Sequence, residues 1–199
     1  KHDIYNLSPF DETILIDTDY ICGNNNLAKL FGGQHNVAMY RDARNLRMEE
    51  PYTTERWLHY AGIRMWWSTV VYWNADSEEA KLFFGIWEHV KENYDYYKWL
   101  YKFPGNLYRT DYAASIAIHL LCGQVKNSFV QQLPGKLMRY SDQIDELINV
   151  NNINDYTFLC PQPDTPWELN CSRIKNENIH IMNKLSIMRH ENKLMELLS

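Results

Sequence analysis

The stretch Met65–Trp73 constrains the fold more than any other, because aromatic and β-branched residues follow one another there almost without interruption. Such a run favours a β-strand and is too continuously apolar to leave one face in water. Two helical patterns follow it. Apolar residues recur every three or four positions over Ala80–Tyr97, and Tyr112–Cys122 is apolar nearly all round. A strand that needs cover on both faces, near helices that can cover it, predicts an α/β fold with a mixed β-sheet flanked by helices.

Shorter patterns add weaker elements. The β-branched run Thr13–Ile16 predicts a buried strand, and the polar, arginine-rich stretch at 35–54 predicts a long loop or flap. The remaining patterns predict a short helix over Leu27–Phe31, strands over Tyr156–Cys160 and Asn178–Met182, and a closing helix over Asn183–Leu198.

The composition is that of a folded protein, since 45% of the 199 residues are hydrophobic and 23% are charged. This length suits one domain with its own core, so we expect a single domain over residues 1–199. The net charge of −5 argues against a large phosphate-neutralising surface. Four cysteines without C-x-x-C spacing suit a reducing compartment and disfavour a zinc site. With no signal peptide and no apolar run that could span a bilayer, we expect no membrane span and a cytoplasmic location.

The pair Asp17 and Asp19 is the strongest chemical signal in the chain. Both aspartates follow the predicted strand Thr13–Ile16 directly. Residues two apart face the same side when the chain is extended, so both carboxylates can converge on one point. Carboxylate oxygens suit Mg²⁺ or Mn²⁺, above all when a substrate diphosphate supplies further oxygens. The alternative is a solvated loop or cap.

Three further features have two interpretations each. Asp111 stands at the start of a predicted helix, where a carboxylate either complements the helix dipole or serves chemistry. His180 alternates with Ile179 and Ile181, so it faces away from the apolar side as a metal ligand or an ordinary surface residue. The arginines of the polar stretch either clamp phosphate or belong to a solvated flap: Arg41, Arg44 and Arg47.

The segment Ser8–Asp19 resembles the region around the D-x-D motif of GT-A-fold glycosyltransferases, family 8 in particular. The resemblance continues in order through a loop, a strand, a helix, the segment Arg109–Ala113 and the late segment His180–Lys184. It implies a Rossmann-like nucleotide-diphospho-sugar transferase fold. It further implies that Asp17, Asp19 and His180 hold Mn²⁺ or Mg²⁺. By the same resemblance Asp17 and Lys184 contact the donor diphosphate, and Asp111 is a catalytic residue that contacts the donor sugar or the acceptor.

The activity implied by this resemblance is the metal-dependent transfer of a sugar from a UDP- or GDP-sugar to a hydroxyl of a glycan, lipid, protein or modified base. The chain departs from family 8 at two points. The glycine and the Lys-Pro-Trp expected after the late histidine are absent, and only some twelve residues precede the D-x-D strand. Since the upstream βαβ units of a GT-A fold bind the nucleotide base, we expect the chain to be a C-terminal catalytic portion of a longer protein.

Two other classes compete with this interpretation. A haloacid-dehalogenase-like phosphatase also places D-x-D after an apolar strand, with the first aspartate as nucleophile and the second as acid and base. Against it, Tyr20 and Ile21 stand where that class has Gly-Thr, and no late Asp-Asp or Gly-Asp follows. The other class is a non-catalytic binding protein with a degenerate site. Binding of a nucleoside diphosphate together with Mn²⁺ separates the transferase from both.

Overall fold

The computed structural model describes residues 1, 3–49, 58, 63–103, 105, 107–123, 129–135, 137–162 and 164–199. The strands in these residues are β1 (Glu12–Ile16), β2 (Tyr20–Ile21), β3 (Val37–Tyr40), β4 (Asp42–Arg44), β5 (Trp67–Asn74), β6 (Gln131–Gln132), β7 (Leu137–Ser141), β8 (Glu146–Asn152), β9 (Asp155–Pro161), β10 (Leu169–Lys175) and β11 (Ile179–Ile181). The helices are α1 (Ile4–Leu7), a 3₁₀ turn (Leu27–Leu30), α2 (Glu78–Glu92), α3 (Tyr94–Tyr101), α4 (Thr110–Leu121), α5 (Lys184–Met188) and α6 (Glu191–Leu198).

The chain divides into two compact units. Unit 1 consists of Lys1–Ile16, Ala28–Asp42 and Pro51–Leu137, and unit 2 consists of Asp17–Leu27, Ala43–Glu50 and Met138–Ser199. Mixed β-sheets with helices beside them make up the fold, which confirms the predicted α/β class. Across the described residues, no helix combines the length and apolar character that crossing a membrane requires.

Unit 1 is built on a four-stranded sheet of order β1-β5-β3-β6. β5 is antiparallel to both β1 and β3, whereas β6 is parallel to β3. Every residue of β5 except Asn74 is buried, as the continuous apolar run predicted. Helix α4 contacts β5 and α2 packs against α4, so helices supply the cover that the strand requires.

The helical pattern over Ala80–Tyr97 is divided between two helices. Helix α2 starts after Ser77, whose Oγ accepts the Ala80 N–H at 3.0 Å, and it ends at Glu92. Between α2 and α3, the Asn93 side-chain amide donates to the His89 carbonyl oxygen at 2.9 Å. An asparagine side chain that binds a backbone carbonyl competes with helix continuation, and this explains the break. The predicted helix Tyr112–Cys122 is confirmed as α4.

The prediction of a loop or flap over residues 35–54 is wrong for part of that stretch. Strand β3 lies there with all four residues buried, paired with β5 and β6, and β4 follows it. A run of four residues between polar neighbours is too short to show the periodicity of a strand. These four residues nevertheless form one, because all of them are buried. Residues 50–54 of the predicted flap lie outside the described residues.

Unit 2 contains the antiparallel sheet β10-β9-β8, and its residues also supply most of a second sheet of order β2-β11-β7-β4. In the second sheet β11 is antiparallel to β2 and parallel to β7. The predicted strands over Tyr156–Cys160 and Asn178–Met182 are confirmed as β9 and β11. The predicted closing helix is two helices, because His190 interrupts it and its Nε2 contacts the Leu147 carbonyl oxygen at 2.8 Å. Buried apolar side chains of several strands form the core of this unit: Leu147, Val150, Tyr156, Phe158, Ile174, Ile179 and Ile181.

Candidate metal centre

The two D-x-D aspartates lie in a tight turn. Strand β1 ends at Ile16, the Tyr20 N–H donates to the Asp17 carbonyl oxygen at 3.0 Å, and β2 begins at once. The turn leaves Asp17 half-buried, whereas only 11% of the Asp19 side chain is exposed. The apolar strand followed by two aspartates therefore delivers both carboxylates to one place in unit 2.

Strand β11 brings His180 to the same place from a distant part of the sequence. His180 pairs with Tyr20 in the antiparallel ladder, and the Ile181 N–H donates to the Asp19 carbonyl oxygen at 2.8 Å. Because Ile179 and Ile181 are fully buried in the core of unit 2, the alternation of the strand directs His180 to the opposite side. Its Nε2 lies 3.1 Å from Oδ1 of Asp19.

One ligand atom from each of Asp17, Asp19 and His180 lies within 4.8 Å of the other two. Ligand atoms bound at about 2.1 Å to one cation are at most about 4.2 Å apart, so these three atoms lie close to that limit. Two carboxylate oxygens and an imidazole nitrogen suit Mn²⁺, with Mg²⁺ as the harder alternative. In addition, Nδ1 of His180 is buried and has no hydrogen-bond partner among the described residues. The donor set fits a metal-binding role through Nε2 of His180, the ring nitrogen that faces Asp19.

Lys184 lies beside this cluster and forms an ion pair with one of its aspartates. Its Nζ lies 3.3 Å from Oδ2 of Asp19, on the carboxylate oxygen that His180 does not contact, and 69% of its side chain is exposed. Lys184 is the first residue of α5, and Asn183 caps that helix by accepting the Ser186 N–H at 3.2 Å. The Asn183 amide also donates to the Asp145 carbonyl oxygen at 3.0 Å, which fixes the start of the helix.

Asp111 belongs to unit 1, whereas the cluster of Asp17, Asp19 and His180 belongs to unit 2. Oδ1 of Asp111 accepts the Ser68 N–H and the Ser68 hydroxyl, both at 2.7 Å. The Asp111 carbonyl oxygen accepts the Ser115 hydroxyl at 2.6 Å. The two contacts with Ser68 join the first turn of α4 to the start of β5. They give Asp111 a structural role. The sequence interpretation, which placed a carboxylate at the start of a helix, did not include this role.

Arg47 has a role that the sequence did not reveal. Only 6% of its side chain is exposed, and its guanidinium binds Asp142 at 2.9 Å and Asp145 at 2.7 Å. It also donates to the Pro161 carbonyl oxygen at 2.6 Å. Burial raises the pKa of the Asp145 carboxyl, and the positive charge of Arg47 opposes that shift. Arg47 is therefore an internal ion-pair residue and neither part of a solvated flap nor a phosphate clamp.

Comparisons with protein-family models, curated proteins and solved structures return no match for this chain. The resemblance to GT-A-fold glycosyltransferases consequently rests on the motif residues and their order along the sequence.

Proposed function

We propose that Asp17, Asp19 and His180 bind Mn²⁺ or Mg²⁺, and that this centre serves a glycosyltransferase whose donor is a UDP- or GDP-sugar. One observation carries the proposal. Two carboxylates at the end of an apolar strand and a histidine about 160 residues later place ligand atoms within 4.8 Å of one another. The pairing of β11 with β2 brings a mostly buried histidine from a distant strand to the D-x-D turn.

Each side chain has a distinct task in this proposal. Asp17 and Asp19 supply hard anionic ligands, and His180 supplies a nitrogen that favours Mn²⁺ over Mg²⁺. A divalent cation bound there neutralises the charge that grows on the leaving diphosphate. Lys184, long and mostly exposed, donates a hydrogen bond to a phosphate oxygen of the donor.

The contribution of Asp111 is a separate part of the proposal. A catalytic contact with sugar or acceptor uses the second carboxylate oxygen, since Oδ1 is engaged by Ser68. Oδ2 lies 3.9 Å from Nη2 of Arg109, and 20% of the Asp111 side chain is exposed. The geometry supports its structural role more strongly than its catalytic one.

Thermal unfolding with added ligands tests the proposed centre. Wild-type protein is heated with UDP or GDP, each with and without Mn²⁺. Binding to the native state alone adds about 2.7 kcal/mol of stability when free ligand is at a hundredfold excess over Kd. We therefore expect the Tm to rise by several degrees only when nucleotide and metal are both present. Asp19→Asn and His180→Ala should abolish or strongly reduce that rise.

Asp164→Asn is the matched control, because Asp164 is an exposed aspartate of the same unit. It should leave the ligand-dependent rise intact. A wild-type protein whose Tm is unaffected by every nucleotide–metal pair contradicts the proposal. Stabilisation by Mn²⁺ without any nucleotide effect points to a non-catalytic metal-binding protein. Phosphate release from a phosphoester through an aspartyl-phosphate on Asp17 favours the phosphatase alternative.

A further inference from the structure

We infer that Lys184 is a displaceable counter-ion of Asp19 that makes the centre discriminate against a bare divalent cation and select one accompanied by a diphosphate. The inference rests on the proposed function and assigns to Lys184 a second task besides contacting phosphate. It concerns the order and selectivity of ligand binding, which neither the D-x-D motif nor the resemblance specifies.

The geometry places Lys184 on the carboxylate that the metal needs. Asp19 has two oxygens: His180 Nε2 lies 3.1 Å from Oδ1 and Lys184 Nζ lies 3.3 Å from Oδ2. Only 11% of the Asp19 side chain is exposed, so its charge is poorly hydrated and needs a cation nearby. Lys184 supplies that cation.

The position of Lys184 in α5 supports a role outside the helix. It is the first residue of α5, where a positive charge is electrostatically unfavourable for the helix. The favourable electrostatic partner seen for its ammonium group is Asp19. An exposed lysine on a flexible four-carbon stem leaves such a contact easily, since exposed ion pairs contribute little stability.

The charge of Lys184 acts in opposite directions on two ligands. Next to Asp19 it repels an incoming divalent cation, and one unit charge at this range changes the affinity for that cation by about fivefold at about 0.1 M salt. A diphosphate bound with the cation reverses the sign, because it carries several negative charges that the ammonium group attracts. Lys184 therefore lowers the affinity for Mn²⁺ alone and raises the affinity for Mn²⁺ with UDP.

Titration of Mn²⁺ separates these effects. Protein-bound Mn²⁺ is measured by equilibrium dialysis, without UDP and with saturating UDP in both chambers, for wild type, Lys184→Gln, Lys184→Arg and Lys193→Gln. Lys193 is an exposed lysine of α6 in the same unit and serves as the control. Lys184→Gln should bind Mn²⁺ alone about fivefold more tightly and Mn²⁺ with UDP more weakly. Lys184→Arg, which keeps the charge, should behave like wild type, and the change for Mn²⁺ alone should shrink as KCl is raised.

The outcomes distinguish this inference from the proposed function. If wild type binds Mn²⁺ and Lys184→Gln has unchanged or weaker affinity for Mn²⁺ alone, the counter-ion role is wrong and the metal centre stands. A tightening that salt leaves unaffected, or that Lys193→Gln shares, also overturns it. If neither wild type nor Lys184→Gln binds Mn²⁺ with or without UDP, the proposed centre itself fails and the inference with it.

Discussion

Asp19 serves the fold and the proposed metal centre through different groups. Its carbonyl oxygen takes part in the pairing of β2 with β11 by accepting the Ile181 N–H. Its carboxylate, by contrast, contacts His180 and Lys184. Because backbone and side chain make different contacts, replacing the carboxylate by an amide should remove the proposed metal ligand and leave the strand pairing in place.

The hydrogen bonds of Asp111 to Ser68 predict how two substitutions of Asp111 should differ. Ser68 is 1% exposed, and Asp111→Ala removes the acceptor of its N–H and hydroxyl groups. A buried donor left without a partner costs about 1–3 kcal/mol, so Asp111→Ala should lower the free energy of unfolding by that amount. Asp111→Asn keeps an acceptor oxygen and should lose much less. Urea denaturation of the two variants measures the difference.

Transfer activity of Asp111→Asn then separates the two roles of this residue. Lost turnover at nearly unchanged stability supports a contact of Asp111 with sugar or acceptor. Turnover equal to that of wild type assigns Asp111 to the junction between α4 and β5 alone. A stability loss in Asp111→Asn as large as that in Asp111→Ala contradicts the hydrogen-bond explanation.

The sequence predicts those features of the candidate site that depend on local patterns, but not those that depend on long-range contacts. An apolar strand that ends in Asp-x-Asp and a histidine between two isoleucines are local patterns, so they could be recognised. The contact of Lys184 with Asp19 depends on a two-residue strand, β2, that has no sequence signal of its own. Arg47 looked solvated because its partners Asp142 and Asp145 are almost a hundred residues away.

Several strands could not be predicted from the sequence because they contain many polar residues. β8 contains Asn149, Asn151 and Asn152, which have low strand propensity, and its pairing with β9 is irregular at two points. Most of β10 is exposed, so its sequence carries no alternation of buried and exposed residues. These strands form because β9, which was predicted correctly, offers both of its edges. Pairing partners, rather than local propensity, determine them.

The buried ion pairs of Arg47 connect distant segments of unit 2. Arg47→Ala leaves Asp145, whose side chain is fully buried, without its cation. Breaking a buried pair from one side costs about 3–5 kcal/mol, so we expect a loss of that size in chemical denaturation. Arg189→Ala is the control, because Arg189 is 60% exposed and pairs with Glu146 at the surface. Its loss should stay below about 1 kcal/mol. Equal losses for the two variants would show that burial does not set the strength of the Arg47 contacts.

Each of the two units combines segments that are far apart in the sequence. Unit 1 contains the chain up to Ile16, whereas the D-x-D turn that follows belongs to unit 2, together with the last third of the chain. The proposed ligands Asp17, Asp19 and His180 therefore all lie in one unit, although nearly the whole sequence separates the first from the last. Sequence patterns identify elements along the chain, but this grouping arises only from long-range pairing such as that of β2 with β11.

Hydrogen exchange tests whether the centre belongs to unit 2 in solution. Proteins open locally as well as globally, and a ligand suppresses those openings that destroy its site. Adding Mn²⁺ and UDP should therefore slow amide exchange in β2, β11 and α5, by up to about a hundredfold at a hundredfold excess of ligand over Kd. Exchange in α2 and β5 of unit 1 should change much less.

Asp19→Asn with the same additions is the control for this experiment and should show no slowing in either unit. Its exchange without ligand should match that of wild type, since the pairing of β2 with β11 uses the Asp19 backbone. Slowing confined to unit 1, or of equal size in both units, contradicts the assignment of the three ligands to one binding centre in unit 2. Slowing in β2, β11 and α5 that depends on Asp19 supports it, because only a ligand held at these elements opposes their opening selectively.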